Sequence, residues 1–182
     1  MSSENEKKAI FKICIYAIFM AIAYIATVYI AFPIPFGYVN LGGSIILFAG
    51  FYLGGKAGFM VGGLGSALAD LSLGYAVWAP FSFVVKGCGG LLAGLGKKEE
   101  KALGVKNIVK AVLAMAVVVI GYIISGMIIQ IISGASFKVS VFAGLATGPA
   151  LGMEALVNLL VYIMLVKAAE TMKFRRILGN RK

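Results

Sequence analysis

Long apolar stretches alternate with short polar, proline-rich or glycine-rich breaks along most of this chain. The apolar stretches lie approximately at 10–31, 40–53, 57–73, 80–95, 107–132 and 149–167. About 20 apolar residues suffice for a helix to cross a bilayer, and prolines and glycines in the breaks end helices. The pattern predicts an all-α integral membrane protein, with six transmembrane helices in a single domain over residues 1–182.

Composition supports this class, since 61% of the residues are hydrophobic and 13% are charged. The net charge of +10 does not indicate nucleic-acid binding, because the basic residues lie at the ends of apolar stretches and not on a patch interleaved with aromatics. The chain has no histidine, and Cys14 and Cys88 lie far apart in separate apolar stretches. We therefore expect no disulfide, no metal site and no cofactor.

The distribution of lysine and arginine predicts the orientation in the membrane. These residues concentrate before the first stretch, between the second and third, between the fourth and fifth, and after the sixth. The alternate loops, 32–39, 74–79 and 133–148, contain only Lys138. Because basic loops stay on the cytoplasmic side, both termini are predicted to be cytoplasmic and these three loops to face outside.

Two charged residues, Asp70 and Lys86, lie inside neighbouring apolar stretches whose other polar positions are few. Each shares a helix face with small residues at intervals of four, namely Gly58, Gly62 and Ser66 before Asp70, and Gly90 and Gly94 after Lys86. Small residues at this spacing let helix backbones approach closely in lipid. A lone charge in the bilayer costs about 2.5–3.5 kcal/mol. Both charges should face inward, either as a structural pair or toward a ligand.

Most other polar groups fall in the outer half of the predicted bundle. Glu154 and Asn158 share one face of the last stretch, and Gln130 and Tyr122 share a face of the fifth. The predicted pocket opens to the outside, and its candidate binding residues are Glu154, Asn158, Lys86, Asp70, Trp78, Tyr75, Tyr38, Asn40 and Gln130. Glu154 with Asn158 as a structural pair, and Tyr75 with Trp78 as interface anchors, are alternative interpretations.

The first stretch carries Ala17 and Ala21, four residues apart. Such a small-residue face suits docking against a helix of another membrane protein.

These residues resemble the substrate-binding S components of energy-coupling factor (ECF) vitamin transporters, over nearly the whole chain. The matching segments are 38–42 (YVNLG), 65–70 (GSALAD), 74–75 (GY), 79–81 (APF) and 86–87 (KG), with the alanine docking motif at 17–21 (AIFMA). The resemblance implies that the protein binds a vitamin under a gating first loop. It would then dock on a membrane coupling subunit with two cytoplasmic ATPases, and topple to release its cargo inside.

Within that family the chain is most similar to the branch assigned to pyridoxine or hydroxymethylpyrimidine, although Gly43 stands where relatives of the branch often carry an acid. The resemblance thus implies a vitamin B6 form as substrate. Hydroxymethylpyrimidine, a thiamine precursor or another vitamin are alternatives, and the expected location is the cell membrane of a prokaryote.

Two other functions were weighed from the residues. A membrane-embedded enzyme would need more buried acids or histidines than Asp70 and Glu154 supply, and a stand-alone small-solute carrier would be expected to show an internal repeat. The chain contains no phosphate-binding loop of the G-x-x-x-x-G-K-[ST] type. We therefore expect a transport subunit without its own ATPase site, and not an enzyme.

Overall fold

Six helices and one short hairpin make up the computed structural model, which describes residues 3–34, 37–96, 103–172 and 174. The helices are α1 (Ser3–Val28), α2 (Gly42–Leu53), α3 (Gly55–Ser72), α4 (Ala79–Ala93), α5 (Val105–Ile132) and α6 (Phe137–Thr171). The antiparallel hairpin of β1 (Phe32–Ile34) and β2 (Gly37–Val39) joins α1 to α2.

Three helices, α1, α5 and α6, are long and apolar enough to cross a membrane, whereas α2 and α4 are shorter apolar helices. Many large hydrophobic side chains of the three long helices face outward. Leu113 of α5 and Leu160 of α6, for example, are 56% and 63% exposed, which suits contact with lipid. The predicted all-α class is confirmed apart from the hairpin. The predictions of six spans and of cytoplasmic termini stay predictions.

The shortest helix, α2, lies at the centre of the bundle and packs against α1, α3, α4 and α6. Leu47 and Ala49 are fully buried, and Phe48, Phe51 and Tyr52 form the main core with residues of α5 and α6. A helix surrounded on all sides is apolar all round. The sequence of α2 therefore looks like a membrane span although it has only 12 residues.

Helices α3 and α4 pack backbone to backbone through their glycines. A Cβ atom added at Gly58 would overlap the Gly90 carbonyl, one at Gly90 would overlap the Gly58 carbonyl, and one at Gly62 would overlap the Lys86 carbonyl. This is the close approach that the spacing of these glycines predicts. It fixes the relative position of Asp70 on α3 and Lys86 on α4.

The last helix begins much earlier than the sequence predicts, so the interpretation of 133–148 as a loop is wrong. Only the first residues of that segment connect α5 to α6, and Ser136 caps α6 by accepting a hydrogen bond from the Val139 N–H. Pro149 lies inside the helix and does not start it. Gly144 packs against Met127 of α5. The small residues that suggested a loop are therefore helix-packing residues.

Candidate functional site

A cavity lies among β2, α3, α4, α5 and α6 and opens to solvent. The space between its walls, counted together with the open solvent at its mouth, is about 560 Å³. Its lining residues are Tyr38, Asn40, Asp70, Trp78, Ser82, Tyr122, Gly126, Gln130, Ala143, Gly144, Thr147, Leu151 and Glu154.

Asp70 lies in the wall of this cavity and is only 2% exposed. Its Oδ1 accepts a hydrogen bond of 2.5 Å from the Tyr38 hydroxyl. Its Oδ2 has no hydrogen-bond partner among the residues that the structure describes. Burial, together with the adjacent Asp70 carboxylate, raises the pKa of the Tyr38 hydroxyl well above its usual value, so Tyr38 keeps its proton and stays a donor.

Asn40 connects the hairpin to the surrounding helices. Its backbone N–H donates to Glu154 Oε1 at 3.2 Å, and its carbonyl accepts from Asn158 Nδ2 at 2.9 Å. Its side-chain Oδ1 accepts from Lys86 Nζ at 3.1 Å and from the Gly42 N–H at 2.9 Å. One residue thereby joins the end of the hairpin to α2, α4 and α6.

Both polar atoms of the Asn158 side-chain amide, on α6, form hydrogen bonds to the segments around the cavity. Its Oδ1 accepts from the Ser44 N–H at 2.7 Å, and its Nδ2 donates to the carbonyls of Asn40 and Glu154, each at 2.9 Å. A Cβ at Gly43 would lie 3.0 Å from the Asn158 side chain. The glycine at position 43 thus leaves the room that Asn158 occupies.

Lys86 is buried, and its ammonium lies 5.8 Å from the centre of the Tyr122 ring. The structural pair with Asp70, one of the two alternatives that the sequence left open, does not form: Lys86 donates to Asn40, and Asp70 accepts from Tyr38. An ion pair does form on α1, between Lys8 and Glu4. The Lys86 ammonium is thus bonded to Asn40 and not to Asp70.

Aromatic side chains form much of the remaining wall. Trp78 lies 6.0 Å from Tyr122 between ring centres, and the Tyr122 hydroxyl is 2.8 Å from that of Ser82. Tyr75 is not among the lining residues. It packs on the Tyr38 ring at 5.1 Å and so supports the hairpin from behind. Flat apolar faces beside a few polar groups are the usual setting for a small aromatic ligand.

The structure therefore divides the predicted site residues into three groups. Tyr38, Asn40, Asp70, Trp78, Gln130 and Glu154 line the main cavity. Lys86 and Asn158 line a smaller adjoining cavity, which shares Glu154 and Tyr122 with the main one. Tyr75 lines neither.

Sequence reasoning missed Ser82 and the α6 residues Ala143, Gly144, Thr147 and Leu151 as lining residues. For Ser82 a signal was present, because it lies one helical turn before Lys86 on an inward face. Ala143, Gly144 and Thr147 were hidden by the false assignment of 133–148 as a loop, whereas Leu151 lies inside the predicted sixth stretch and carries no polar signal.

The two alanines predicted to dock a partner helix lie on α1, away from the cavity lining. Ala17 and Ala21 are both exposed, as are Ile18 and Ile22 beside them. Their face is therefore open to lipid or to another protein.

Comparisons with known proteins identify the family to which this chain belongs. The model of the family described as ECF-type riboflavin transporter, S component, matches residues 7–171. A Pyrococcus woesei protein, described as an uncharacterized protein in a gap 3' region, is 37% identical over 101 residues, which are 54% of this chain and 67% of that protein. A solved S component of a bacterial ECF transporter shares the fold with a TM-score of 0.68 at 23% identity, covering 88% of this chain and 96% of that one. Because the family match spans nearly the whole chain, the protein belongs to the ECF-type riboflavin transporter S-component family.

Proposed function

We propose that this protein captures a vitamin with a flat heteroaromatic ring in the cavity beneath the hairpin and delivers it to an ECF importer. Proteins of its family are substrate-binding transport subunits and not enzymes. The observation that carries the proposal is the buried Asp70 Oδ2, which no described residue bonds, in a cavity walled by Trp78 and Tyr122. Aromatic faces can stack on the ring, while Asp70, Glu154 and Gln130 can bond to its polar edge.

Two substrates within this class have separate support. The description of the matching family names riboflavin. The segments discussed in the sequence analysis favour a vitamin B6 form, but that branch is not confirmed by the family match. Both molecules combine a flat ring with hydroxyl groups, so both suit the groups in this cavity.

The remaining steps of transport are proposed to depend on other subunits. ECF S components work with a membrane coupling subunit and ATPases, and we propose that the Ala17 and Ala21 face of α1 docks on the coupling subunit. Six spans, cytoplasmic termini and a prokaryotic cell membrane complete the proposed arrangement. A stand-alone carrier would transport the vitamin without those partners, so uptake with and without co-expressed ATPase subunits separates the two functions.

The proposed ligand class is tested by identifying what the protein binds. Small molecules extracted from the purified protein are identified by mass spectrometry, and ligand-free protein is then titrated with riboflavin, pyridoxine and pyridoxamine. Trp78 is the single tryptophan of the chain and lines the cavity, so its fluorescence reports occupancy directly. We expect a heteroaromatic vitamin in the extract and a saturable change in Trp78 emission. Absence of both would contradict the proposed class.

A further inference from the structure

The walls of the cavity and of its smaller neighbour contain two carboxylates and one ammonium. Asp70 and Glu154 line the main cavity, and Lys86 lines the adjoining one together with Glu154. Neither carboxylate has the Lys86 ammonium within 4.0 Å, the limit for an ion pair. With all three groups ionised, the walls carry one more negative charge than positive charge.

The hydrogen bonds that the nearby donors make go to atoms other than Asp70 Oδ2. Lys86 donates to Asn40 Oδ1, and the Asn40 N–H donates to Glu154 Oε1. The Ser82 hydroxyl lies near Asp70 and 2.8 Å from the Tyr122 hydroxyl, and either of these two hydroxyls can donate to the other. Tyr38 supplies its only hydroxyl to Asp70 Oδ1. Within the described ranges, no group donates a hydrogen bond to Asp70 Oδ2.

A buried carboxylate oxygen without a donor is unfavourable, and an uncompensated charge in an apolar wall is more so. Both deficits are removed at once by a donor that carries a positive charge, since charge-assisted hydrogen bonds are the stronger kind. The faces of Trp78 and Tyr122 nearby also favour a cation, through their ring quadrupoles.

We infer that the ligand of this cavity carries a positively charged nitrogen and places its N–H group against Asp70 Oδ2. The inference rests on the proposed function and narrows its substrate class. It favours pyridoxamine, which has an ammonium group where pyridoxine has a hydroxyl. It disfavours riboflavin, which is uncharged near neutral pH.

The test compares these three probes on the purified full-length protein by titration calorimetry. We expect pyridoxamine to bind about 10-fold or more tightly than pyridoxine and riboflavin. Asp70→Asn should weaken pyridoxamine binding about 10- to 150-fold, the loss of one charge-assisted hydrogen bond, and should largely remove the preference. Glu170→Gln is the matched control, because Glu170 is an exposed acid near the end of α6, and it should leave all three affinities unchanged.

The possible results distinguish a failure of this inference from a failure of the proposed function. If riboflavin or pyridoxine binds as tightly as pyridoxamine, or if Asp70→Asn weakens all three equally, the inference is wrong while the proposed function stands. If none of the three binds, the proposed ligand class fails and the inference with it. Should Asp70→Asn not fold, Glu154→Gln removes the other negative charge of the cavity and should lower the preference for pyridoxamine. An unchanged preference in that variant would overturn the inference.

Discussion

Some residues of the site line the main cavity, and others hold the lining residues in place. Asp70 and Trp78 belong to the first group, while Asn158 and Tyr75 belong to the second. The sequence predicted that these polar groups converge, because a membrane helix rarely carries polar residues without a use. It could not separate the two groups, because the partners of Asn158 are backbone atoms of residues 40, 44 and 154. A contact to a backbone atom does not depend on the type of the contacted residue, so the sequence pattern cannot predict it.

The first prediction concerns Asn158. Asn158→Ala leaves the Asn40 carbonyl without this partner, and it leaves the Ser44 N–H with only the longer bond of 3.3 Å to the Leu41 carbonyl. We expect a lower melting temperature of the ligand-free protein, with a loss of about 1–3 kcal/mol in unfolding free energy for each unpaired group. Ser133→Ala is the control, because Ser133 is an exposed serine that bonds only to its own helix. If both variants melt like the wild type, Asn158 does not hold the wall.

The second prediction concerns the hydroxyl of Tyr38, which ties the hairpin to α3 through Asp70. Tyr38→Phe removes this bond while keeping the ring that packs on Tyr75. The hairpin should then open more readily, and the ligand should dissociate about 10-fold faster or more, as expected for one hydrogen bond to a charged group. Stopped-flow displacement measures this rate, and Tyr29→Phe at an 80% exposed position is the control. Equal dissociation rates for both variants would show that the Tyr38–Asp70 hydrogen bond does not keep the hairpin closed over the ligand.

At the scale of elements, the glycine contact between α3 and α4 and the length of α6 show opposite outcomes of sequence reasoning. The α3–α4 contact was predictable, because glycines four apart on a face have few other uses in a membrane helix. The start of α6 was not, because Pro149 with Gly144 and Gly148 has the composition of a loop. Tertiary packing against α5 decides in favour of a helix there.

The third prediction tests the α3–α4 contact. Gly58→Ala forces a methyl group into the Gly90 carbonyl, and backbone on both sides gives it no room to relax. The variant should lose about 1–3 kcal/mol of stability, as overpacked cores do, and should purify in lower yield. Gly152→Ala on α6 is the matched control, since a Cβ there meets nothing within 4 Å. It should melt at or above the wild-type temperature, and similar losses in both variants would contradict the proposed cause.

On the scale of the whole molecule, the described fold agrees with an S component. The proposed placement in the membrane rests on the distribution of lysine and arginine along the chain.

The fourth prediction is that tags at both chain ends are cytoplasmic and that a cysteine replacing Ser136 is labelled from outside. Ser136 is exposed at the start of α6. Lys56→Cys, exposed at the start of α3, should react only after the membrane is permeabilised. Labelling of the Lys56→Cys variant in intact cells would reverse the proposed orientation.

The fifth prediction separates binding from transport. Ala17→Leu adds bulk to an exposed face of α1 and touches no residue of the cavity lining. Uptake with the full importer should fall strongly, while vitamin affinity of the isolated protein should stay within about twofold. Ala116→Leu, at an exposed position of α5, should change neither. Loss of affinity in Ala17→Leu would assign that face to the fold and not to docking.

The hydrogen bonds of Asn158 also constrain the order of biosynthesis. They join α6 to Ser44 on α2 and to Asn40 just before α2, which are 114 and 118 positions away in sequence. Contacts of such separation form late, because most of the chain must be synthesised and inserted first. A nascent chain that ends before α6 therefore lacks the means to close its own binding site. The vitamin can then select only finished molecules, and its presence during expression would favour their survival over stalled or truncated products.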